Sequence, residues 1–227
     1  MRLWALLRGD VRFQYKYGFY FLYMFLALLY IGMLSVFPDG WRERAAILMI
    51  FSDPAAMGLY FMGAIVLLEK SERTLDSIAV SPARTHEYTL SKLFSIGVIS
   101  VIVGLTIGLV GGAVKITIQF LVGLLLCSCL FSAVGLVIVA RSVSLNSFII
   151  STVPVQLLIN LPAAAWLFGW QPSWLLLHPG VSMMQLCMPN RPVLPSGVIL
   201  ASWTLAAWVI ANRTVAGMFK QIGGVKL

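Results

Sequence analysis

Residues 69–92, with the sequence EKSERTLDSIAVSPARTHEYTLSK, hold charged side chains of both signs that could form ion pairs with another protein. This stretch carries eight of the 24 charged residues of the chain. The 23 residues before it contain a single charged residue, and so do the 23 residues after it. The local concentration of charge indicates a segment outside the apolar parts of the chain, and it raises the question of what the segment contacts.

The first half of this stretch predicts a short helix from Ser71 to Val80, which the Ser81–Pro82 pair ends. Thr85 is expected to cap a second helix that begins at the next residue. The first helix would carry apolar and charged side chains on opposite sides, with Leu75, Ile78 and Ala79 opposed to Glu72, Arg73 and Asp76. A solvated hairpin would need neither an ordered apolar side nor 24 residues. We therefore predict a docking surface for a cytoplasmic partner.

Three polar side chains within apolar runs are candidates for a substrate path. An acidic residue inside a membrane span, here Asp53, is by default a functional hypothesis, but an Asp before Pro54 is also a good helix cap. Gln156 and Asn160 lie one helical turn apart between two prolines. They would either line a polar path or satisfy backbone groups that the prolines leave free. Both alternatives stay open for each site.

Motifs of enzymes are missing from the sequence, and we expect no catalytic residues and no metal site. There is no GxxxxGK[ST] phosphate loop, no nucleophile elbow and no paired-carboxylate cluster. His86 and His178 stand far apart, and the three cysteines have no metal-ligand spacing. The chain is therefore expected to bind no cofactor by itself.

Composition places the chain among integral membrane proteins. It is 60% hydrophobic and 11% charged over 227 residues, with a mean hydropathy of +0.94, whereas soluble domains are about 25% charged. Continuous apolar runs predict an all-α protein with six transmembrane helices in a single domain, 1–227. The predicted spans are about 19–37, 45–68, 93–114, 116–139, 148–168 and 196–212.

The distribution of basic residues predicts the orientation in the membrane. Six spans place both termini on one side, which receives twelve of the 16 Lys and Arg residues, including those of the 69–92 loop. The positive-inside rule makes that side cytoplasmic. The net charge of +8 does not indicate nucleic acid binding, because the basic residues lie between apolar runs and form no patch with stacking aromatics.

Two segments outside the spans are expected to lie at the membrane surface. Residues 1–18 alternate apolar and charged side chains at helical spacing, which is typical of an interfacial helix, although a basic flank to span one is the simpler reading. Between spans five and six, the proline-bounded pieces Ser173–Leu177 and Val181–Met188 would form short re-entrant or interfacial helices.

The sequence LLEKSERTLDSIAVSPARTHEYTLSKL resembles the cytoplasmic loop of ABC exporter permeases of the type-two family. The matching residues are Glu69, Thr74, Leu75, Asp76, Ser81, Pro82, Glu87, Tyr88 and Lys92. The segments RFQYKYGFYFLY and IFSDPAAMGLYFMGAIVLLEK look most like the fluoroquinolone-export type of these permeases. The similarity extends over most of residues 1–92 and more loosely over the remainder.

The resemblance implies an N-terminal elbow helix, a coupling helix between spans two and three, and re-entrant helices before span six. It also implies a second permease copy, identical or a sister chain, and a separate cytoplasmic ABC ATPase that binds ATP and magnesium. The residues expected to couple to that ATPase are Glu69, Glu72, Arg73, Thr74, Leu75, Asp76, Ile78, Ser81 and Pro82. The EKSER sequence is less acidic than that of many relatives, which leaves the identity of the ATPase open.

The leading hypothesis is the membrane subunit of an ABC exporter for a hydrophobic or amphipathic substrate, possibly a drug, in the bacterial cytoplasmic (inner) membrane. One alternative is a non-transporting membrane scaffold that recruits a soluble partner through the 69–92 loop. Another is a secondary transporter, but the scarcity of charges within the spans argues against ion-coupled transport.

Overall fold

The computed structural model describes residues 2–53, 57–111, 114–188 and 193–222, and within these ranges every regular element is helical. The described α-helices are α1 (Arg2–Lys16), α2 (Phe19–Val36), α3 (Asp39–Asp53), α4 (Leu59–Ser71), α5 (Thr74–Val80), α6 (Thr85–Gly111), α7 (Ile118–Arg141), α8 (Leu145–Leu167), α9 (Pro179–Cys187) and α10 (Val193–Ile222). A 3-10 helix, Ser173–Leu177, lies between α8 and α9.

Five of the described helices are long and apolar enough to cross a membrane: α2, α6, α7, α8 and α10. They coincide with five of the six predicted spans. The predicted span 45–68 is instead divided between α3 and α4, and neither helix has crossing length by itself. The helix start predicted at Pro54, which Asp53 would cap, lies outside the described residues.

The centre of the bundle is α7, which packs against α4, α6 and α10. Thr117 caps its first turn by accepting a hydrogen bond from the Phe120 backbone N–H at 3.3 Å. Where α4 crosses α7, a Cβ on Gly135 would lie 2.7 Å from the Leu59 carbonyl oxygen. Glycine at this position therefore allows the two backbones to approach closely.

The segment between α4 and α6 differs from its prediction in the extent of its first helix. The helix α4 continues to Ser71, and Arg73 adopts a left-handed conformation with φ of 58°. This break makes α5 three residues shorter than the predicted helix from Ser71 to Val80. The second helix, α6, begins at Thr85 and continues without interruption into the predicted third span.

The two proline-bounded pieces before the last span are both helical, which confirms their predicted secondary structure. The 3-10 helix has the predicted bounds, and α9 starts two residues before the predicted Val181. Every residue of α9 is buried, and the helix packs against α7, α8 and α10. It is thus an internal element of the bundle.

The N-terminal helix α1 forms as predicted, but with an unexpected face toward the bundle. Its two buried residues are Asp10 and Gln14, whereas Leu3 and Val11 remain exposed. An amphipathic helix usually buries its apolar stripe. Here the hydrogen bonds between α1 and α6 come from the two buried polar side chains of α1, while Phe13 packs against the apolar core.

We expect Gly135→Ala to destabilise the fold by about 1–3 kcal/mol, because the added methyl group meets the Leu59 carbonyl oxygen. The matched control is Gly197→Ala in α10, where an added Cβ meets nothing within 4 Å. Thermal unfolding of the detergent-solubilised protein measures the difference. Equal unfolding midpoints for the two variants would contradict the close approach of α4 and α7.

Candidate functional site at the 69–92 segment

The site begins with the turns that connect α4, α5 and α6. Ser81 ends α5, where its hydroxyl donates to the Ile78 carbonyl oxygen at 2.7 Å and accepts from the Ala83 N–H at 3.3 Å. Glu87 closes the first turn of α6 by accepting from the Arg84 N–H at 2.8 Å. This is the glutamate half of a capping box. These local bonds fix the course of the chain on both sides of Pro82.

Directly behind these turns lies a buried ionic cluster, which consists of Asp10, Glu69 and Lys92. The Lys92 ammonium lies 2.5 Å from Asp10 Oδ1 and also donates to Glu69 Oε1, and its side chain is only 1% exposed. Buried charges are tolerated only when they are paired and hydrogen-bonded. The lysine therefore joins α1, α4 and α6 at one point.

The remaining carboxylate oxygens of the cluster also have donors. The Tyr88 hydroxyl donates to Glu69 Oε2 at 2.8 Å, and the Ser91 hydroxyl donates to Asp10 Oδ2. One turn further along both helices, Gln14 Nε2 donates to Ser95 Oγ at 2.9 Å. Each of the four carboxylate oxygens thus accepts at least one hydrogen bond, which is the condition for a stable buried network.

A second lysine attaches the end of α4 to the end of α7. The Lys70 ammonium donates to the carbonyl oxygens of Val139 at 2.8 Å and Ser142 at 3.2 Å. A cation at a helix C-terminus is favoured by the helix dipole. The Val139 carbonyl oxygen also accepts from the Ser142 backbone N–H at 3.2 Å, so Lys70 adds a second hydrogen bond there. Partial burial lowers the pKa of Lys70 below its usual value.

The apolar side of α5 faces the bundle, which corrects the prediction that Leu75, Ile78 and Ala79 form a surface for a partner. Leu75 is fully buried in a cluster with Tyr88 and Met218, and Ile78 packs against this cluster. Ala79 is half-buried. These side chains therefore attach α5 to its own chain.

The solvent-exposed side of α5, together with the turn before it, is polar except for one apolar residue. Its exposed residues are Glu72, Arg73, Thr74, Asp76, Ser77 and Val80, and the last of these is 77% exposed. Glu72 forms an exposed ion pair with Lys16 at 3.8 Å, of a kind that contributes little to stability. Pro82 is also exposed, and its carbonyl oxygen accepts from Arg2 at 2.9 Å.

The predicted coupling residues thus divide into two groups. Glu69 and Leu75 are buried, with Ile78 and Ser81 half-buried, whereas the other five are exposed. The buried members position α5, and the exposed members are available to another molecule. We refer to the exposed group, including Ser77 and Val80, as the α5 surface.

The three candidate substrate-path residues have different surroundings. Asp53 ends α3 and is fully buried, and neither of its carboxylate oxygens has a hydrogen-bond partner among the described residues. Gln156 Oε1 accepts from the Tyr60 hydroxyl at 2.5 Å, which joins α8 to α4. The Asn160 Oδ1 atom is buried without a described partner. No described hydrogen bond joins Asp53 to either amide.

No group of His, Cys, Asp or Glu within the described ranges could hold a metal ion. The three cysteines are free and buried. The arrangement therefore offers charge pairing and helix attachment, and its described parts contain no metal centre.

Asp10 and its pairing with Lys92 were not predicted from the sequence, although the sequence contains a signal that polar helix faces meet. Asp10 and Gln14 are four residues apart, as are Tyr88 and Lys92, so each pair lies on one helical face. Two helices with such polar pairs, each next to an apolar stripe, could have indicated that the polar faces meet.

A model for the fluoroquinolones export permease protein family matches residues 1–212. Over 216 residues the chain is 26% identical to the fluoroquinolones export permease proteins of two Mycobacterium tuberculosis strains, CDC 1551 / Oshkosh and ATCC 25618 / H37Rv. The alignment covers 94% of this chain and 87% of each relative.

We expect Lys92→Gln to destabilise the protein by about 3–5 kcal/mol, because it leaves two buried carboxylates without a counter-ion. Lys220→Gln, the same change at an exposed position of α10, is the matched control. Adding Asp10→Asn and Glu69→Gln to Lys92→Gln removes the uncompensated charge and should restore part of the loss.

Thermal unfolding of the solubilised variants checks this prediction. If Lys92→Gln unfolds at the same temperature as Lys220→Gln, the cluster does not hold the three helices together. If the triple variant is less stable than Lys92→Gln alone, uncompensated charge is not the cause of the destabilisation.

Proposed function

Because the chain belongs to the fluoroquinolones export permease protein family, we propose that it is the membrane-spanning subunit of an ATP-driven ABC exporter. It moves a hydrophobic or amphipathic substrate out of the cell by alternating access. The names of its relatives make fluoroquinolone drugs the first substrates to test. ATP and magnesium bind to a separate cytoplasmic ATPase, and this chain supplies the path and the coupling surface.

In this proposal α3 and α4 together make the remaining membrane crossing, which gives six crossings and two cytoplasmic termini. The membrane is the bacterial inner membrane, with the basic 69–92 segment on the cytoplasmic side. The helix α1 is the interfacial elbow and α5 is the coupling helix. The 3-10 helix and α9 are the re-entrant pieces before α10.

The observation that carries the proposal is the position of α5, which is fixed to the bundle on one side and exposed on the other. The fully buried Leu75 holds it from within, and the connecting turns join it directly to α4 and α6. Force applied to the α5 surface would therefore move both helices, because the Glu69–Lys92 pair joins them directly behind α5.

Alternating access requires a second permease copy, identical or a sister chain, facing this one. Transport would proceed in a two-state motion at the interface of the copies. The candidate path residues are Asp53, Gln156 and Asn160. They belong to α3 and α8, and most of the α8 side chains are not buried within the chain. Those faces are available to a second copy or to lipid.

The charge reversal Asp76→Arg on the α5 surface should reduce both co-purification of the ATPase and substrate-stimulated ATP hydrolysis several-fold. The cause is repulsion of the complementary surface on the ATPase. Glu43→Arg is the matched control, since it reverses an exposed acid on α3, outside the α5 surface. The measurement uses the ATPase that co-purifies with the tagged chain, reconstituted with it in proteoliposomes.

If co-purification and substrate-stimulated ATP hydrolysis are unchanged in Asp76→Arg, the α5 surface does not contact the ATPase. The same experiment separates the exporter from the alternative of a non-transporting scaffold. If the co-purifying soluble protein hydrolyses no ATP and no substrate is moved, the scaffold is the better description.

Asp53→Asn tests the substrate path. The substitution keeps the shape of the side chain and removes a charge that has no described partner, so stability should stay equal or rise. We expect substrate transport to fall several-fold while ATPase binding remains normal. A variant that unfolds earlier but transports at the wild-type rate would make Asp53 a structural group and not a path residue.

A further inference from the structure

An apolar groove runs along the outside of α1 and α6. Its volume is 390 Å³, and most of its lining comes from these two helices. The apolar lining includes Leu3, Leu7 and Val11 from α1, and Phe94, Val98 and Ile102 from α6. Phe94, Val98 and Ile102 are between 44% and 56% exposed. Because α6 is one of the helices long and apolar enough to cross a membrane, we place this wall of the groove against hydrocarbon.

The groove exists because α1 attaches to α6 through its polar face. Asp10 is bound to Lys92, and Gln14 is bound to Ser95. These bonds hold the Leu3, Leu7 and Val11 stripe beside α6, with Leu7 half-buried and the other two exposed. The stripe and the exposed side of α6 then form two apolar walls, and Tyr20 of α2 also lines the groove.

A second, basic cavity adjoins the groove. This second cavity has a volume of 560 Å³, shares Val11 and Tyr20 with the groove, and adds Arg8, Arg12 and Tyr15. The only carboxylate on α1 is Asp10, and it is already paired with Lys92. Within the described ranges, neither Arg8 nor Arg12 forms a salt bridge, so both are free to bind an anion.

The apolar groove and the adjoining cavity, with its two arginines and two tyrosines, match an amphiphile that has an apolar chain and an anionic headgroup. Arginine binds phosphate through paired N–H groups, and tyrosine is enriched at the depth of lipid headgroups. We propose that the joined cavities bind one anionic phospholipid. Its phosphate lies on Arg8 and Arg12, and one acyl chain lies along Val98 and Ile102.

The site has a consequence for the ionic cluster. A lipid in the groove contacts α1 and α6 from the outside, while Lys92 joins the same two helices from the inside. The lipid and the ionic cluster therefore favour the same position of α1. This role is independent of the transported substrate and of the ATPase.

The test is native mass spectrometry of the full chain, delipidated in mild detergent and then supplied with one lipid at a time. Phosphatidylglycerol and phosphatidylcholine with identical acyl chains are the probes, and glycerol 3-phosphate controls for an anion without chains. We expect a several-fold preference for phosphatidylglycerol and no adduct with glycerol 3-phosphate. Equal binding of the two lipids would overturn the headgroup assignment.

The variants separate the two parts of the site. Arg8→Gln with Arg12→Gln should lower phosphatidylglycerol binding several-fold and leave phosphatidylcholine unchanged. Arg84→Gln with Arg213→Gln is the matched control, since it removes the same charge from exposed positions outside the groove. Val98→Trp should fill the groove and lower binding of both lipids. Thermal unfolding confirms that each variant is folded.

If both arginine double variants lose phosphatidylglycerol binding to the same extent, the loss is a general effect of charge and the proposed site is wrong. If Val98→Trp abolishes dimer formation and leaves lipid binding intact, the groove belongs to a second copy of the chain and the proposal fails. Neither outcome depends on ATP or on transport, so failure here is distinct from failure of the proposed exporter function.

Discussion

The arrangement of the helices around α5 depends on one buried ammonium group. Lys92 binds Asp10 and Glu69 at the same time, and these carboxylates come from helices about 80 and 20 residues away in sequence. Withdrawing three charges from water is costly. The cost is offset here because every carboxylate oxygen accepts a hydrogen bond. The contact is therefore directional, and it fixes the relative positions of α1, α4 and α6 more narrowly than apolar packing would.

This constraint explains why the polar face of α1 points inward and why α5 is held so close to the bundle. With Asp10 directed at Lys92, Leu6 and Leu7 lie half-buried on the same side of α1, whereas Leu3 remains exposed. With Glu69 directed at Lys92, the end of α4 is fixed, and the left-handed Arg73 can place Leu75 against Tyr88. The exposed residues of α5 are thereby attached to both α4 and α6.

Much of the fold could be predicted from sequence, because continuous apolar runs and proline breaks are local signals. The helices α2, α6, α7, α8 and α10 coincide with predicted spans, and the pieces before α10 were expected. The pairing of Asp10 with Lys92 could not be predicted in this way, since no local pattern selects a partner 82 residues away. Leu75 was also predicted to lie on an outward surface, whereas it is fully buried in its own chain. An apolar stripe on a helix predicts that the stripe is buried. It does not predict whether the same chain or another protein buries it.

The two sets of buried acids in this chain have opposite properties. All four carboxylate oxygens of Asp10 and Glu69 accept hydrogen bonds, so these residues stabilise the arrangement that is observed. Asp53 is also buried, and neither of its carboxylate oxygens has a described hydrogen-bond partner. The chain thus combines a fully paired junction behind α5 with a carboxylate at the end of α3 that lacks a described partner. Of the two, only Asp53 has carboxylate oxygens left to accept a bond from a bound molecule, which is why it, and not the Lys92 cluster, is the candidate path residue.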